Sequence, residues 1–481
     1  MKNKTPLLDA LDSYINKGYY PLHTPGHKQG RYFSPKMKEM FLSVLPMDLT
    51  ELPGLDDLHQ PAGVIAQSQQ RAAKLFNAKR TFYSVQGATV GIHASMMALG
   101  NPGEDFVISR HSHRSVYSGL ILTGCNPVYL PQGIDEYWGF VLGNDLKRIK
   151  EDVLKYQKKA LLLTNPTYEG VNAPIEKILT CLDSPAAAVD ESHGAHYTFH
   201  SQLPVSALNY DVDFVVHGSH KTLPTLTQTA MVHAVREDYI RQMIGFLDML
   251  QTSSPSYLLL ASLDGAQEYL GSCGRSDWDE ALEVANGLRR YIRQLPELEL
   301  LEEEHVQGQG MSGLDKTRIT VSSSKIDGGT LKRLMRKEKL EVELAGIKHV
   351  VLIVTPGMTE NELTFIKGAL RNVSTAIPKE TSHEEMLKVK LRTLVQALQP
   401  PEVILNPRQA TYSNTRRIAL AHAEGAIAAE FIIPYPPGIP LVVPGEKITY
   451  ETQKAIKDLL DLKIHFQGTF DPSIEKILIV E

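Results

Sequence analysis

A chain of 481 residues is too long for one hydrophobic core, so two or three domains are expected. It is 42% hydrophobic and 22% charged, the composition of a globular protein, and a formal net charge of -5 leaves no basic footprint for nucleic acid. Three cysteines, Cys125, Cys181 and Cys273, lie far apart with no CxxC pair, which argues against a disulfide framework or a structural zinc site and suits a reducing cytosol. The first ten residues, MKNKTPLLDA, lack the apolar core of a secretory signal. The apolar stretch from Ala426 to Pro444 is interrupted by Glu430 and several prolines, so it is not expected to span a bilayer. A cytoplasmic protein is the expectation.

From about residue 64 to 235 helical patterns alternate with short apolar runs. Gly63 to Phe76 is predicted as an amphipathic helix, Thr81 to Val85 as a strand and Thr89 to Leu99 as a helix. Phe106 to Ser109 is predicted as a strand and Ser115 to Leu122 as a helix; further strands are predicted at 127–130, 160–164, 186–189 and 214–216. Apolar runs without alternation are what strands covered on both faces look like, and their alternation with helices predicts βαβ units in a mostly parallel sheet. Trp278 to Leu295 is predicted as a long helix. A smaller α/β unit follows, with strands at 318–322 and 350–354 and helices at 328–338 and 360–370. Residues 373–390 are polar and predicted to be a linker to a C-terminal piece. The domains are therefore placed at 1–290, 291–375 and 376–481.

Twelve of the 17 histidines precede residue 234, and several stand at predicted strand ends: His111, His113, His193, His196, His217 and His220. In open α/β sheets ligands bind beyond the carboxyl ends of strands. In VDESHGAH (189–196) an apolar strand delivers Asp190 to such an end, where a carboxylate can hold a heterocyclic N–H, bind a metal or cap a helix. In VVHGSHKT (215–222) another strand delivers Ser219, His220 and Lys221 to the same rim. A lysine in a desolvated site is favoured in its neutral form, which imine formation needs. A lysine paired with an acid that keeps a pyridine nitrogen protonated is the requirement of pyridoxal 5'-phosphate (PLP) chemistry. Gly87, Ala88 and Thr89 then open a helix whose N-terminal N–H groups suit a phosphate, and His113 in SRHSHRSVYSGL (109–120) can stack on a flat ring. The G-x-G-x-x-G match at 308–313 follows three glutamates and precedes a strand-like run, so it is read as a loop and not as a dinucleotide site.

These segments resemble the fold-type I PLP decarboxylases of the ornithine/lysine/arginine class, in the shorter form without an N-terminal wing domain. The likeness extends over nearly the whole chain. It rests on TPGHKQG (24–30), DLTELPGLDDLHQPAGVI (48–65), NPTYEG (165–170), VDESHGAH, GSHKTLPTLTQ (218–228), SSPSYLLLASLD (253–264) and YPPGIPLVVPGE (435–446). It implies an aspartate aminotransferase-like large domain within 1–290, a small α/β domain and a C-terminal α+β domain. It implies further that Lys221 holds the cofactor as a Schiff base, Asp190 pairs with the pyridine nitrogen, His113 stacks on one ring face and Ser192 lies under the other. Gly87, Ala88, Thr89, His193, Ser219 and His220 would complete the cofactor site, with Ser253 or Ser254 added from a neighbouring subunit of a homodimer. This chain departs from the family in having Ala88 where a hydroxyl residue is usual, Ser192 for Ala, and Arg114 for Lys after the stacking histidine.

The reaction implied is α-decarboxylation of a basic L-amino acid, with Lys221 or His220 returning a proton to Cα. Arginine is the expected substrate, with lysine and then ornithine as alternatives. Asp48, Glu51, Asp56, Asp57 and Glu446 are candidates for the distal cation. Another fold-type I enzyme, an aminotransferase or aldol-type lyase, would share Asp190 and Lys221, although an aminotransferase normally clamps the substrate carboxylate with a small-domain arginine. A metal hydrolase using Asp190, His193 and His196 and a non-catalytic binding subunit are the readings from other classes.

Overall fold

The computed structural model describes residues 4–153, 159–307, 310–379, 384–435 and 438–481. In chain order its principal elements are α1 (Pro6–Asn16), α2 (Val64–Leu75), β1 (Arg80–Ser84), α3 (Gly87–Leu99), β2 (Asp105–Ser109), α4 (Arg114–Thr123), β3 (Asn126–Leu130) and β4 (Lys159–Thr164). There follow β5 (Ala186–Asp190), β6 (Phe214–His217), β7 (Ala230–Ala234), α5 (Tyr257–Ile292), β8 (Arg318–Ser322), α6 (Gly328–Lys337), β9 (His349–Ile353), α7 (Glu360–Ala376), α8 (Glu384–Ala397), β10 (Thr415–Ala419), α9 (Tyr450–Asp461) and β11 (Lys476–Val480). The chain divides into two compact units. One comprises Met1–Ala98, Ala188–Ser201 and Val205–Ser276; the other comprises Leu99–Ala187, Gln202–Pro204 and Asp277–Glu481.

In the first unit β5 pairs in parallel with β6, which pairs antiparallel with β7, and β7 pairs antiparallel with β1. Phe214, Val215 and Val216 are completely buried, as a run without alternation requires when helices cover both faces. Gly91 of α3 lies so close to the sheet that a Cβ there would stand 2.6 Å from Val232 and 3.0 Å from Val216. That glycine sets how tightly α3 is laid on the strands that carry the site.

Helix α2 has no side-chain cap at Gly63. Asp56 supplies one from outside, its carboxylate accepting from the N–H groups of Ala62, Gly63, Ile65 and Ala66 at 2.8–3.2 Å. Burial alone would raise the Asp56 carboxyl, but the backbone N–H groups hold it below the usual carboxylate range. The residue sits at φ 69°, a left-handed conformation that Asp and Asn tolerate and Ala does not. Asp56→Ala is therefore expected to cost about 2–3 kcal/mol in denaturant unfolding, from the lost cap and the left-handed backbone together. Asp56→Asn should keep the backbone and lose the pH dependence. Because the folded-state pKa is depressed, the stabilising contribution of Asp56 is present above the unfolded value near 4 and fades as pH falls through the folded one.

In the second unit β2 pairs in parallel with β3 and with β4. A separate core gathers Ile319 and Val321 of β8, Val350 of β9, Leu331 of α6 and Leu370 of α7. Another core gathers Leu391 of α8, Ile456 of α9 and Ile477 of β11, with β10 paired antiparallel to β11.

Four expectations change. Residues 80–84 do not enter a βαβ unit: they pair antiparallel with β7, a strand the sequence reading left out. The long helix begins at Tyr257, not Trp278, because YLLLASLD at 257–264 forms its first turns. The small unit around β8 and β9 is antiparallel, so its helices cross back instead of linking parallel strands. Finally, α7 runs to Ala376 and α8 starts at Glu384, so most of the predicted linker is helical. Of the 308–313 glycine motif, residues 308 and 309 lie outside the described residues. A short helix at Glu303–Val306 precedes it and a strand at Gly313–Leu314 follows, the reverse of the dinucleotide order.

Candidate active site

In the first unit Asp190 is the last residue of β5 and Val216, its partner in the register, faces α3. Asp190 is 5% exposed, and its Oδ1 accepts from the Ser192 N–H at 3.1 Å and the Ser192 hydroxyl at 2.5 Å. Ser192, one of the three departures from the family pattern, thus orients the carboxylate. One strand over, β6 ends at His217 and the chain turns through Gly218 into a 3-10 turn at Ser219–Lys221. A Cβ on Gly218 would lie 3.1 Å from Ser192 and 3.3 Å from the Lys221 side chain, so the two strand-end turns are in close contact. Lys221 Nζ stands 2.9 Å from His193 Nε2. His220 bonds the Thr229 carbonyl through Nδ1 at 2.9 Å, which leaves Nε2 outside that bond.

The third turn of this rim is the start of α3. Gly87 adopts φ 76° and donates its N–H to the Gln228 carbonyl at 2.7 Å, which holds the loop before Ala230 against the helix start. Ala88 is partly buried and Thr89 exposed at the mouth of this turn. Segment 251–254 docks on the same turn through Thr252 N–H to Gln86 Oε1 at 2.8 Å, leaving Ser253 and Ser254 exposed beside it. The hydroxyl of Ser219 is fully buried and finds no hydrogen-bond partner among the described residues. A buried orphan hydroxyl costs free energy unless a ligand satisfies it.

The residues present therefore fit PLP. They comprise an amine at Lys221, a buried carboxylate at Asp190, a helix N-terminus at Gly87–Thr89 and an orphan hydroxyl at Ser219. By contrast, the metal trio fails on geometry: His193 Nε2 faces the Lys221 amine, and among the described residues no group of three His, Cys, Asp or Glu could hold a metal.

In the second unit His113 is the N-cap of α4. Its Nδ1 is 2.9 Å from the Ser115 hydroxyl and accepts from the Ser115 N–H at 3.3 Å, which fixes the ring. Its neighbour Arg114 donates to the Gly438 carbonyl through its backbone and to Gln467 through its guanidinium. Two arginines are buried here, Arg289 on helix α5 and Arg318 on β8. Arg289 pairs with Glu302 at 2.6 Å, and Arg318 lies 3.8 Å from Asp315. Both carry acidic partners of their own, unlike the free clamp of an aminotransferase.

The acids proposed for a distal cation divide. Glu446 is 2% exposed and accepts from Arg110 at 2.9 Å, from the Tyr129 hydroxyl at 2.7 Å and from the Val443 N–H at 2.9 Å. It is a structural anion, and that expectation is corrected. Asp56 is likewise committed to capping α2, and Asp48 pairs with His27 at 3.0 Å. Glu51 and Asp57 remain, exposed and partly buried. Sequence reasoning missed Glu191, the residue after Asp190, which is completely buried and bonded to His217 at 2.9 Å.

Among the described residues no helix is long and apolar enough to cross a membrane. The three cysteines are unbridged. The Orn/Lys/Arg decarboxylase major domain matches residues 5–362, and the C-terminal domain of the same family matches residues 390–473. A Bacillus subtilis protein named arginine decarboxylase is 34% identical over 100% of this chain and 98% of its own length. In fold, the chain is similar to the Francisella novicida lysine decarboxylase LdcF, with a TM-score of 0.87, 19% identity and coverage of 99% of this chain and 81% of that one. A more distant likeness, with a TM-score of 0.55 and 17% identity over 82% of this chain and 86% of that one, is to an L-threonine transaldolase from Pseudomonas fluorescens solved in its internal aldimine state. The fold is thus that of the fold-type I PLP enzymes. With both domain matches in order and a full-length relative above 30% identity, the chain belongs to the Orn/Lys/Arg decarboxylase family and is a carboxy-lyase.

Proposed function

We propose that this enzyme uses PLP to convert L-arginine to agmatine and CO2. The observation that carries the substrate is the 34% identity, end to end, with a relative named arginine decarboxylase. Lys221, Asp190 and the orphan hydroxyl of Ser219 support the cofactor. When bound, PLP supplies an electron sink for the pair released as the Cα–carboxylate bond breaks. Asp190 holds the proton on the ring nitrogen, and Ser192 keeps that carboxylate aimed. Lys221 Nζ would hold the cofactor and would carry the proton that replaces the carboxylate at Cα; His220 is the second candidate for that proton. His193 Nε2 stations the amine. Gly87, Ala88, Thr89, Ser219 and His220 would hold the phosphate, and His113 is assigned the ring-stacking role that the family resemblance implies.

We further propose a homodimer in which a second copy adds Ser253 or Ser254 to the phosphate. Segment 19–42 supports it, exposing Tyr20 at 71%, Leu22 at 87% and Tyr32 at 83%, an apolar surface of the kind that partners cover. The three-domain division at 290 and 375 and a cytoplasmic location complete the proposal.

Steady-state assays with L-arginine, L-lysine and L-ornithine test the substrate. A kcat/KM for arginine at least about tenfold above the other two is expected, the discrimination that one side-chain group in a fitted pocket supplies. A preference for lysine or ornithine would overturn arginine alone. Formation of a keto acid without CO2, or no turnover at all, would overturn the decarboxylase reading.

A further inference from the structure

Asp190 and Glu191 are consecutive at the end of a strand, so their side chains leave on opposite faces. Asp190 is on the side of α3. Glu191 is on the other, beneath Phe76, whose ring lies 5.3 Å from that of His217 and 4.7 Å from that of His233. Nothing in the chemistry above uses Glu191. A carboxylate with no exposure is costly to bury unless it is paired and fully bonded. This one is: Oε2 accepts from the Ser206 hydroxyl at 2.6 Å and lies 2.9 Å from His217 Nε2, while Oε1 accepts from the Ala207 N–H at 2.7 Å.

The string continues across the strands. His217 Nδ1 is 3.1 Å from His233 Nε2, and His233 Nδ1 is 2.9 Å from the Thr81 hydroxyl, so β5, β6, β7 and β1 are joined in sequence. All four side chains are buried. Burial first, and the neighbouring His217 second, hold His233 far below the ordinary imidazole range, so it is neutral. Two proton placements then satisfy every bond. With His217 neutral, its Nε2–H donates to Glu191 and its Nδ1 accepts from His233, which accepts in turn from Thr81. With His217 charged, both of its nitrogens donate and His233 Nδ1–H donates to Thr81. In both, Glu191 receives the His217 Nε2–H. The string is thus a clasp in which the Glu191–His217 bond is made under both placements.

Its first two members are one step from the chemistry. Glu191 follows Asp190 directly, and His217 is the last residue before the Gly218 turn that presents Lys221. We propose that the Glu191–His217–His233 string is a positioning device: by locking the two strand ends from the far face of the sheet, it fixes the separation of the Asp190 carboxylate and the Lys221 amine. The inference rests on the PLP reading, because that separation has to match the span of one cofactor between its ring nitrogen and its aldehyde carbon. Displacements of about 1 Å in such a constellation cost on the order of 100-fold in rate.

The test compares His217→Leu, which removes both bonds, with His217→Gln, whose amide N–H can still reach Glu191. Both are assayed at a temperature where circular dichroism shows a folded chain. For His217→Leu, PLP titrated into apoprotein is expected to bind at least about tenfold more weakly, the visible circular dichroism of the loaded protein to fall by about half or more, and kcat to fall about tenfold with KM within threefold. His217→Gln should recover most of the affinity and the band. A purely structural role would lower the melting temperature and leave these three quantities alone. Wild-type affinity, visible dichroism and kcat in folded His217→Leu would overturn the proposal. If that variant does not fold, His233→Gln and Glu191→Gln decide by the same three readouts, and wild-type values in both overturn it. Should the unmutated protein bind no PLP, the cofactor reading itself fails; unaffected variants of a PLP-binding protein refute the clasp alone.

Discussion

Lys221→Ala is expected to reduce CO2 release from the amino acid substrate by at least about 1,000-fold, since it removes the covalent anchor and a proton carrier together. The loaded wild type should show a visible absorbance that borohydride abolishes, and the variant should lack it. The fold should survive. Lys221 is only partly buried, in a one-turn 3-10 segment, and its amine contacts the ring of His193 and not the core. Truncation leaves that ring facing a small polar gap that water can fill. Lys221→Arg should not restore turnover, because a guanidinium stays protonated and cannot form the imine. Turnover by Lys221→Ala within tenfold of wild type would sink the proposed chemistry, whatever the family.

Glu446→Ala is expected to destabilise the chain by about 3–5 kcal/mol, the cost of leaving a buried charge without its partner. Arg110 is 1% exposed and spreads its guanidinium over Glu446 at 2.9 Å, the Pro440 and Leu441 carbonyls at 2.8 and 3.1 Å, and the Tyr117 hydroxyl at 3.1 Å. The carboxylate also anchors Tyr129 and the Val443 N–H, so its loss orphans three donors. Burial raises the Glu446 carboxyl, and Arg110, Tyr129 and Val443 pull it back only in part. Urea unfolding of the single variant and of Arg110→Met/Glu446→Leu separates the two contributions. The double variant should recover much of the loss, because an apolar pair avoids the desolvation that an ion pair incurs. A loss under about 1 kcal/mol in Glu446→Ala would show that the ion pair is not what holds Tyr129 and the 440–446 segment together.

Much of the site was legible because strand ends announce themselves. The run before Asp190 is wholly apolar, and the run 214–216 ends five residues before Lys221, so both strands deliver polar residues to the carboxyl-end rim of a sheet. The glycine that opens α3 was legible for the same reason, since φ 76° is a position that glycine fills without strain. The 230–234 strand was left out of the sequence reading: AMVHA carries a histidine at its fourth position, which the structure shows bonded to His217 and Thr81. Helix α5 was cut short because the predicted helix was begun at Trp278, although Pro255 stands just before the true start at Tyr257, where its missing N–H does no harm.

The identity of an acid in sequence does not reveal its task. Asp56, Glu446 and Glu191 looked alike as carboxylates, and each proved to serve a different buried donor set: a helix N-terminus, an arginine and a histidine. By itself the sequence determined the family, through motifs spread along the whole chain, and its apolar runs with polar residues at strand ends singled out Asp190 and Lys221, the pair on which the PLP proposal rests. Only the tertiary structure decided that Ser192 aims Asp190, that His193 meets the Lys221 amine, and that Glu191 and His217 clasp the two strand ends. The physical reason is the same in each case. A hydrogen bond is made by atoms about 3 Å apart in space, and His217 and Glu191 come from different strands, brought together by sheet register and not by spacing along the chain.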